Sequence, residues 1–245
     1  MTEARLVTSP VFILSPIRSG STLLRCLLNS HPEVYAPHEL HLGHLTVKQD
    51  SEYVELAMKT LGLSPRELEY MLWDRLLHRL LTASGKRLIV DKSPSNVWIW
   101  RRIVECWPQA RFIILRRHPA AIAESIVRAN DGRDSEEANA LVCRFAQALD
   151  EASQELSDTF NVTYEELTSA PRETCERLCS FLGVRWEPKM LDYGRFDHGP
   201  FVYGIGDWSD RIRSGRVHHH GAIPSAAQIP ESLRDLCKRW GYTHA

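Results

Sequence analysis

Three short apolar runs, each followed by a longer stretch of helical periodicity, organise this chain. Residues 11–15 (VFILS), 87–91 (RLIVD) and 111–116 (RFIILR) are nearly continuous in β-branched and aliphatic side chains. Strands buried on both faces of a parallel sheet have that composition. After the first run, Leu23, Leu24, Leu27 and Leu28 recur at helical spacing over 22–29, predicting one apolar stripe. Residues 34–36 predict a second short strand before Pro37. The segment 38–85 is predicted to be helical, most clearly over 52–61 and 65–81. Ser64-Pro65-Arg66-Glu67 has the make-up of a helix start, with Ser at the cap, Pro in the first turn and Glu at the reciprocal position.

Further along, a turn at Pro94 leads into a helix reaching about 107, and Pro119 opens another toward 129. Residues 131–134 break the pattern, and a long helix is expected over 136–156. A strand at 161–164 and a helix at 171–182, stopped by Gly183, follow. Beyond 188, Gly, Pro, Asp and His dominate until a last helix at 230–240. The span 188–230 is too long for a simple connection and is expected to be either a functional loop or a partly mobile segment. Strands alternating with helices predict an α/β fold of P-loop-like, three-layer type. A central, mainly parallel sheet is flanked by helices, with a helical insertion at about 38–85, all in one domain over 1–245.

Charge and composition narrow the partners. The 245 residues carry a formal net charge of −1, which gives no support to a nucleic acid or an acidic membrane surface. No apolar run approaches the roughly 20 residues of a membrane-spanning helix. The N-terminus lacks a basic segment followed by an apolar core. Six cysteines, Cys26, Cys106, Cys143, Cys175, Cys179 and Cys237, form no CxxC pair, so a reducing, cytoplasmic setting is expected.

Chemistry concentrates first at Ser15-Pro16-Ile17-Arg18-Ser19-Gly20-Ser21-Thr22, between a predicted buried strand and a helix. Backbone N–H groups at such a junction carry the positive end of the helix dipole. The small residues let an anion reach the backbone, hydroxyls add donors, and Arg18 adds fixed charge. The nucleotide-triphosphate loop GxxxxGK[ST] is a rival, but Ser15 and Ser21 replace its first Gly and its Lys. A clear magnesium-holding acidic residue at the end of a later strand is also lacking: Asp91 ends one, but Lys92 follows it directly. A second candidate anion site is Arg117-His118-Pro119 with Ser125 one to two turns into the following helix.

These two stretches resemble the PAPS-dependent sulfotransferase family, PAPS being 3′-phosphoadenosine-5′-phosphosulfate. Its first donor loop reads roughly P-[KR]-[ST]-G-[ST]-[ST], and its 3′-phosphate motif R-x-P-x(5)-S. Val162-Thr163-Tyr164-Glu165-Glu166-Leu167, with Pro171 and Phe181-Leu182-Gly183, looks like a further family region. Gly204-Ile205-Gly206-Asp207-Trp208 lies where the family has a loop closing over the nucleotide. The resemblance implies PAPS as donor and PAP as product. Arg18, Ser19, Gly20, Ser21, Thr22 and Leu23 would hold the 5′-phosphosulfate end, and Arg117 with Ser125 the 3′-phosphate. Tyr164 would lie beside the adenine and Gly206 in the closing loop.

Sulfuryl transfer requires in-line positioning and neutralisation of charge on the moving and leaving groups. Many relatives carry Lys where this chain has Arg18, a poor proton donor, so Lys92 in Asp91-Lys92-Ser93-Pro94 is expected to assist. Similar [DE]-K-[ST]-P runs occur in bacterial and carbohydrate sulfotransferases. Several bacterial members carry a general-base Glu after Pro. That points to Glu39 in Ala36-Pro37-His38-Glu39-Leu40-His41, with His41 or His38 as alternatives. His38, His41 and His44, and the run His218-His219-His220, suggest no metal set, and none is expected.

The same segments are similar to bacterial sulfotransferases of secondary metabolism, including polyketide-synthase domains acting on a β-hydroxyacyl chain held by a carrier protein. The acceptor is therefore expected to be a small-molecule or carrier-bound hydroxyl. Arg66, Arg75, Arg79, Arg211 and Arg213 are candidates for a rim facing an acyl carrier protein. A P-loop nucleotide kinase-like phosphotransferase and a non-catalytic nucleotide-binding protein of the same fold are the rival functions.

Overall fold

The computed structural model describes residues 5–129, 132–202, 204–207 and 209–242. Five strands, β1 (Val11–Leu14), β2 (Val34–Tyr35), β3 (Leu88–Asp91), β4 (Arg111–Arg116) and β5 (Thr159–Thr163), form one sheet in the order β2-β3-β1-β4-β5. Every pairing is parallel, with Phe12 of β1 opposite Asp91 of β3 and Phe112 of β4. The apolar runs of β1 and β4 are buried on both faces, as their composition requires.

The period-two alternation of these strands divides the core in two. Phe12, Leu14, Ile89, Phe112 and Ile114 face one layer. That layer contains α3 (Pro65–Ser84), α4 (Asn96–Cys106), α5 (Pro119–Arg128) and α6 (Ser135–Glu155). Val11, Ile13, Val90, Ile113 and Leu115 face the other. It contains α1 (Ser21–Asn29), α7 (Tyr164–Ser169) and α8 (Pro171–Leu182). The three-layer arrangement expected from the sequence is thus present. The chain leaves β1 to build β2 and β3 on one side, then crosses back to build β4 and β5 on the other. The loops after β1, β3 and β4 consequently meet at one carboxyl edge, where open α/β sheets bind ligands.

Several elements differ from expectation in instructive ways. The single apolar stripe predicted for 22–29 is too narrow, because all nine residues of α1 are buried, including Arg25 and Asn29. The segment 38–85 is helical only in part: a 3₁₀ turn at Leu42–His44 precedes α2 (Glu52–Thr60) and α3. Tyr164 does not end a strand but starts α7, held by a reciprocal cap between Thr163 and Glu166. The same device, Asp134 with Glu137, starts α6. The break predicted at 131–134 falls partly on Asp131, which lies outside the described residues. The closing segment is irregular, with 3₁₀ turns at Pro188–Leu191 and Tyr193–Arg195 and the short α9 (Asp210–Arg213). The last described helix is α10 (Arg234–Arg239).

Two polar side chains fix the ends of this frame. Lys86 donates to the carbonyls of Asn29 (2.8 Å), His31 (3.0 Å) and Val34 (2.9 Å). It thereby satisfies acceptors left open at the end of α1 and ties them to the start of β2. Asp74 accepts from the amides of Leu6 (2.7 Å) and Val7 (3.1 Å) and from the Trp107 indole (3.1 Å), tying the N-terminal arm to α3 and α4.

Two buried imidazoles give stability a pH dependence. His118 is fully buried, with no hydrogen-bond partner at either ring nitrogen among the described residues. His198 is 6% exposed. Burial lowers the pKa of both below the ordinary histidine value. Glu165 and Glu124 oppose the shift at His118, while Arg117 adds to it. At His198 the Tyr193 carbonyl and Asp197 oppose it, while Arg25 and Lys86 add to it. The unfolded chain therefore takes up protons near pH 6.5 that the folded one refuses. Stability is full above that pH and falls as pH drops toward the folded values, with a limiting slope of about 1.4 kcal/mol per pH unit per histidine. Thermal melting between pH 7 and 5 should show the loss, and His118→Asn should flatten it.

Candidate active site

The loop after β1 is built to present donors. Arg18 (φ 58°) and Gly20 (φ 87°) both adopt the left-handed region, which turns successive amides toward one concavity. Ser19 is fully buried, and its hydroxyl donates to the Pro16 carbonyl at 2.7 Å, closing the turn. Gly20 caps α1, and a Cβ there would lie 2.3 Å from the Tyr164 ring. The position therefore excludes any side chain both by conformation and by contact. Ser21, Thr22 and Leu23 form the first turn of α1; the Leu23 side chain is buried in the core, so only its backbone faces the loop region.

The loop after β4 meets this one. Arg117 Nη1 donates to the Arg18 carbonyl at 2.7 Å, and its guanidinium carbon stands 4.5 Å from the centroid of the Tyr164 ring. Arg117 Nε is buried without a hydrogen-bond partner. Arg18 Nε donates to the Ser125 hydroxyl at 3.2 Å. The two sequence motifs, about 100 residues apart, thus form one continuous cationic surface at the sheet's carboxyl edge, with Tyr164 as its floor.

The third group surrounds the end of β3. Lys92 is 1% exposed, and Nζ donates to Glu39 Oε1 and, at 3.3 Å, to Thr22 Oγ1. Burial pushes the Lys92 ammonium below the ordinary lysine value, with Glu39 pulling in the opposite direction. Glu39, 9% exposed, has its other oxygen 3.3 Å from His41 Nε2. His41 (φ 51°) has its amide bound to Ser93 Oγ at 2.9 Å. Asp91 is buried and occupied with Asn96 Nδ2 (2.8 Å) and Ser93 Oγ (3.4 Å), holding the turn that orients Lys92. Burial raises the Asp91 pKa.

The irregular C-terminal segment closes over these residues. The Glu39 amide donates to the Ile205 carbonyl (3.3 Å), and His41 Nε2 lies 2.7 Å from the Gly204 carbonyl. The Asp207 amide donates to Thr22 Oγ1 (3.1 Å), and its carboxylate lies 3.7 Å from Arg18 Nη1. Gly206 packs over Thr22: a Cβ there would lie 3.9 Å from that side chain. Trp208, the last member of the predicted loop motif, lies outside the described residues.

The structure therefore gathers Arg18, Ser19, Gly20, Ser21, Thr22, Glu39, His41, Lys92, Arg117, Ser125, Tyr164 and Gly206 around one edge. His38 turns to its neighbour's carbonyl, Nδ1 to Glu39 O at 3.0 Å. Of the predicted basic rim, Arg66 pairs with Glu105 (3.4 Å), and Arg211 and Arg213 bind carbonyls of the closing segment. Arg75 and Arg79 remain exposed on α3. His218 lies 2.7 Å from Ser214 Oγ, and no cluster of metal-ligating side chains forms among the described residues. Asp207, which sequence patterning did not single out as a contact, is signalled only by the loop motif in which it sits.

The sequence pattern of the sulfotransferase family matches residues 10–188, which include both anion loops and the Glu39–Lys92 pair. The chain belongs to the sulfotransferase family. A sulfotransferase domain from the curacin biosynthetic pathway superposes with a TM-score of 0.74 at 21% identity, covering 98% of this chain and 99% of that one. Mouse sulfotransferase SULT7A1, solved with PAP, gives a TM-score of 0.53 at 12% identity over 97% and 90% of the two chains. These two likenesses are of fold. Among curated sulfotransferases, the Drosophila melanogaster protein-tyrosine sulfotransferase is 23% identical over 207 residues. That match takes in 78% of this chain but only 41% of the relative. Within this sulfotransferase fold no described helix is long and apolar enough to cross a membrane.

Proposed function

We propose that the chain transfers the sulfuryl group of PAPS to an acceptor hydroxyl. The observation that carries this reading is the joining of two guanidinium-centred cradles through Arg117 and the Arg18 carbonyl, beside a carboxylate. A nucleotide with phosphates at both ends needs two such cradles at a fixed separation. The residues fit that group: the amides of residues 19–23 donate to no other group among the described residues, and the Arg117 Nε is a buried donor still lacking an acceptor among them.

PAPS supplies an activated sulfuryl group whose leaving oxygen belongs to the 5′-phosphate. Arg18 and the 18–23 backbone hold that end and neutralise its charge. Arg117 and Ser125 take the 3′-phosphate, with Tyr164 against the adenine side. Glu39 accepts the proton of the acceptor hydroxyl as its oxygen attacks sulfur in line. Lys92, positioned between Thr22 and Glu39 with its acidity raised by burial, stabilises the departing phosphate oxygen. His41 orients the second Glu39 oxygen. A phosphotransferase reading has less support, because Asp91 is buried and engaged with Asn96 and Ser93.

For the acceptor, the reading is a β-hydroxyacyl chain on an acyl carrier protein, or another small hydroxyl-bearing metabolite. The exposed apolar side chains Tyr53, Leu56, Met71 and Leu72 stand on the same pair of helices as the exposed Arg75 and Arg79. That combination suits an apolar chain delivered by an acidic carrier. The test is incubation with PAPS and a 3-hydroxyacyl group, either carrier-bound or as a free thioester, among a wider panel of hydroxyl acceptors. A product heavier by one sulfuryl group and dependent on PAPS supports the function. ATP-dependent phosphorylation, or PAP binding with no product across the panel, refutes it.

A further inference from the structure

The helix that follows the donor loop carries polar side chains where only apolar ones are needed. Arg25 is 1% and Asn29 7% exposed, on a helix otherwise packed with leucine. Among the described residues, Arg25 has no carboxylate partner within ion-pair distance and its Nε has no acceptor. A buried cation of this kind destabilises the fold, and an apolar side chain of similar size would serve packing better. Its contacts show what it holds. Nη1 donates to the carbonyls of Ala36 (3.2 Å) and His198 (3.1 Å).

Asn29, one turn further along, grips the same two segments. Its Oδ1 accepts from the Ala36 amide at 3.0 Å. Its Nδ2 donates to the Asp197 carbonyl (3.0 Å) and to His198 Nδ1 (3.1 Å). With Nδ1 accepting, His198 carries its proton on Nε2, which donates to the Tyr193 carbonyl at 2.8 Å. Tyr193 in turn donates its hydroxyl toward the carbonyls of Ile212 and Arg216, both at 3.1 Å. Gly194 and Gly215 cross so closely that a Cβ on either would meet the other's backbone at 2.7 or 2.5 Å. The closing segment is therefore stapled at its base, and its tip at 204–207 reaches Thr22, Glu39 and His41.

We propose that Arg25, Asn29 and His198 form a positioning clamp that sets Glu39 and the closing loop in one register against the donor cradle. Both strapped segments are referenced to α1, the helix whose first turn is the cradle itself. Ala36 lies three residues before Glu39, so the clamp fixes the approach of the carboxylate without touching donor or acceptor. The importance of that register for turnover rests on the sulfotransferase reading with Glu39 as base; the mechanical coupling does not.

Amide exchange of the ligand-free protein tests the coupling directly. In Asn29→Ala and in His198→Ala, the amides of Glu39 and His41 should exchange about tenfold faster or more, although neither residue touches the altered side chain. The double variant should be no worse than the more affected single one, since the pair acts as a unit. His198→Asn, which keeps an acceptor near the Nδ1 position, should recover most of the protection. Asp74→Asn, which loosens the remote N-terminal arm, should lower the melting temperature without this local change. Protection at Glu39 and His41 that is unchanged, or lost equally in Asp74→Asn, overturns the clamp. PAP titration should give dissociation constants within about threefold of the parent for the clamp variants. A large loss of PAP affinity would make these residues part of the nucleotide site and also overturn it. If the clamp passes while the parent yields no sulfated product, the functional reading fails and the clamp stands. If sulfation occurs and Glu39→Gln is inert while the clamp variants keep normal protection, the clamp alone fails.

Discussion

Replacing Glu39 with Gln should lower turnover by roughly 10²–10⁴-fold, the range typical of losing a positioned general base, while PAP affinity stays near that of the parent. Gln preserves the volume and the hydrogen-bonding oxygen beside Lys92, so the packing around the site is retained. What disappears is the proton acceptor at the carboxylate that Lys92 links to Thr22. Glu39 is held from three sides, by Lys92, His41 and the Ile205 carbonyl. Its position is thus set before an acceptor arrives. A second consequence follows at Lys92. Glu39 opposes the burial that drives Lys92 toward its neutral form, so the variant should also lose its activity at lower pH on the alkaline side. Single-turnover kinetics with PAPS, paired with PAP calorimetry, separates the two steps. Near-normal turnover in Glu39→Gln would remove it from the mechanism and return attention to His41.

The parts of this site that were legible in the sequence are those whose physics is local. A β-branched run followed by small residues and an apolar stripe fixes strand, loop and helix within about 20 residues, and β1, β4 and the cradle were found that way. The same holds for the Arg117–Pro119 turn, where Pro sets the helix start. Less legible was anything decided by contact across the fold. Lys92 carries the most hydrophilic type of side chain, and nothing nearby in sequence marks it as 1% exposed. Its burial depends on Glu39, 53 residues away. Arg25 and Asn29 lie off the leucine stripe of 22–29, and nothing near them in sequence marks the closing segment, some 170 residues later, that covers them. The helix α7 was missed although Thr163 and Glu166 carry a recognisable reciprocal cap. The preceding strand's apolar pattern ran into Tyr164 and masked the start signal.

The arrangement also explains why Arg18 can replace lysine at the cradle. An arginine there reaches two places at once, the Ser125 hydroxyl and the Asp207 carboxylate, which a single ammonium could not span. On the proposed mechanism, fixed charge at the donor falls to Arg18 and stabilisation of the leaving oxygen to Lys92. Asp207 supplies an anion at Arg18, while its amide rests on Thr22. On the proposed reading, a donor bringing its own anionic group would compete with Asp207 for that guanidinium, which would couple donor entry to the position of the 204–207 loop.

Arg117→Ala should weaken PAP binding by about 2–5 kcal/mol, the cost of removing one partner of a buried charge-assisted pair, or roughly thirty- to several-thousandfold in dissociation constant. The side chain meets the cradle at two points, the Arg18 carbonyl and the face of Tyr164, and its Nε lacks an acceptor among the described residues. Truncation therefore loses the phosphate contact and also frees the Arg18 turn, so AMP, which lacks the 3′-phosphate, should weaken as well, but less. The discriminating quantity is the ratio of PAP to AMP affinity. It should be large in the parent and collapse toward unity in Arg117→Ala. Arg117→Lys should restore part of the charge without the bidentate fork, giving an intermediate ratio. A ratio unchanged by either substitution would mean that the 3′-phosphate is held elsewhere, and the two-cradle account of the nucleotide would be wrong.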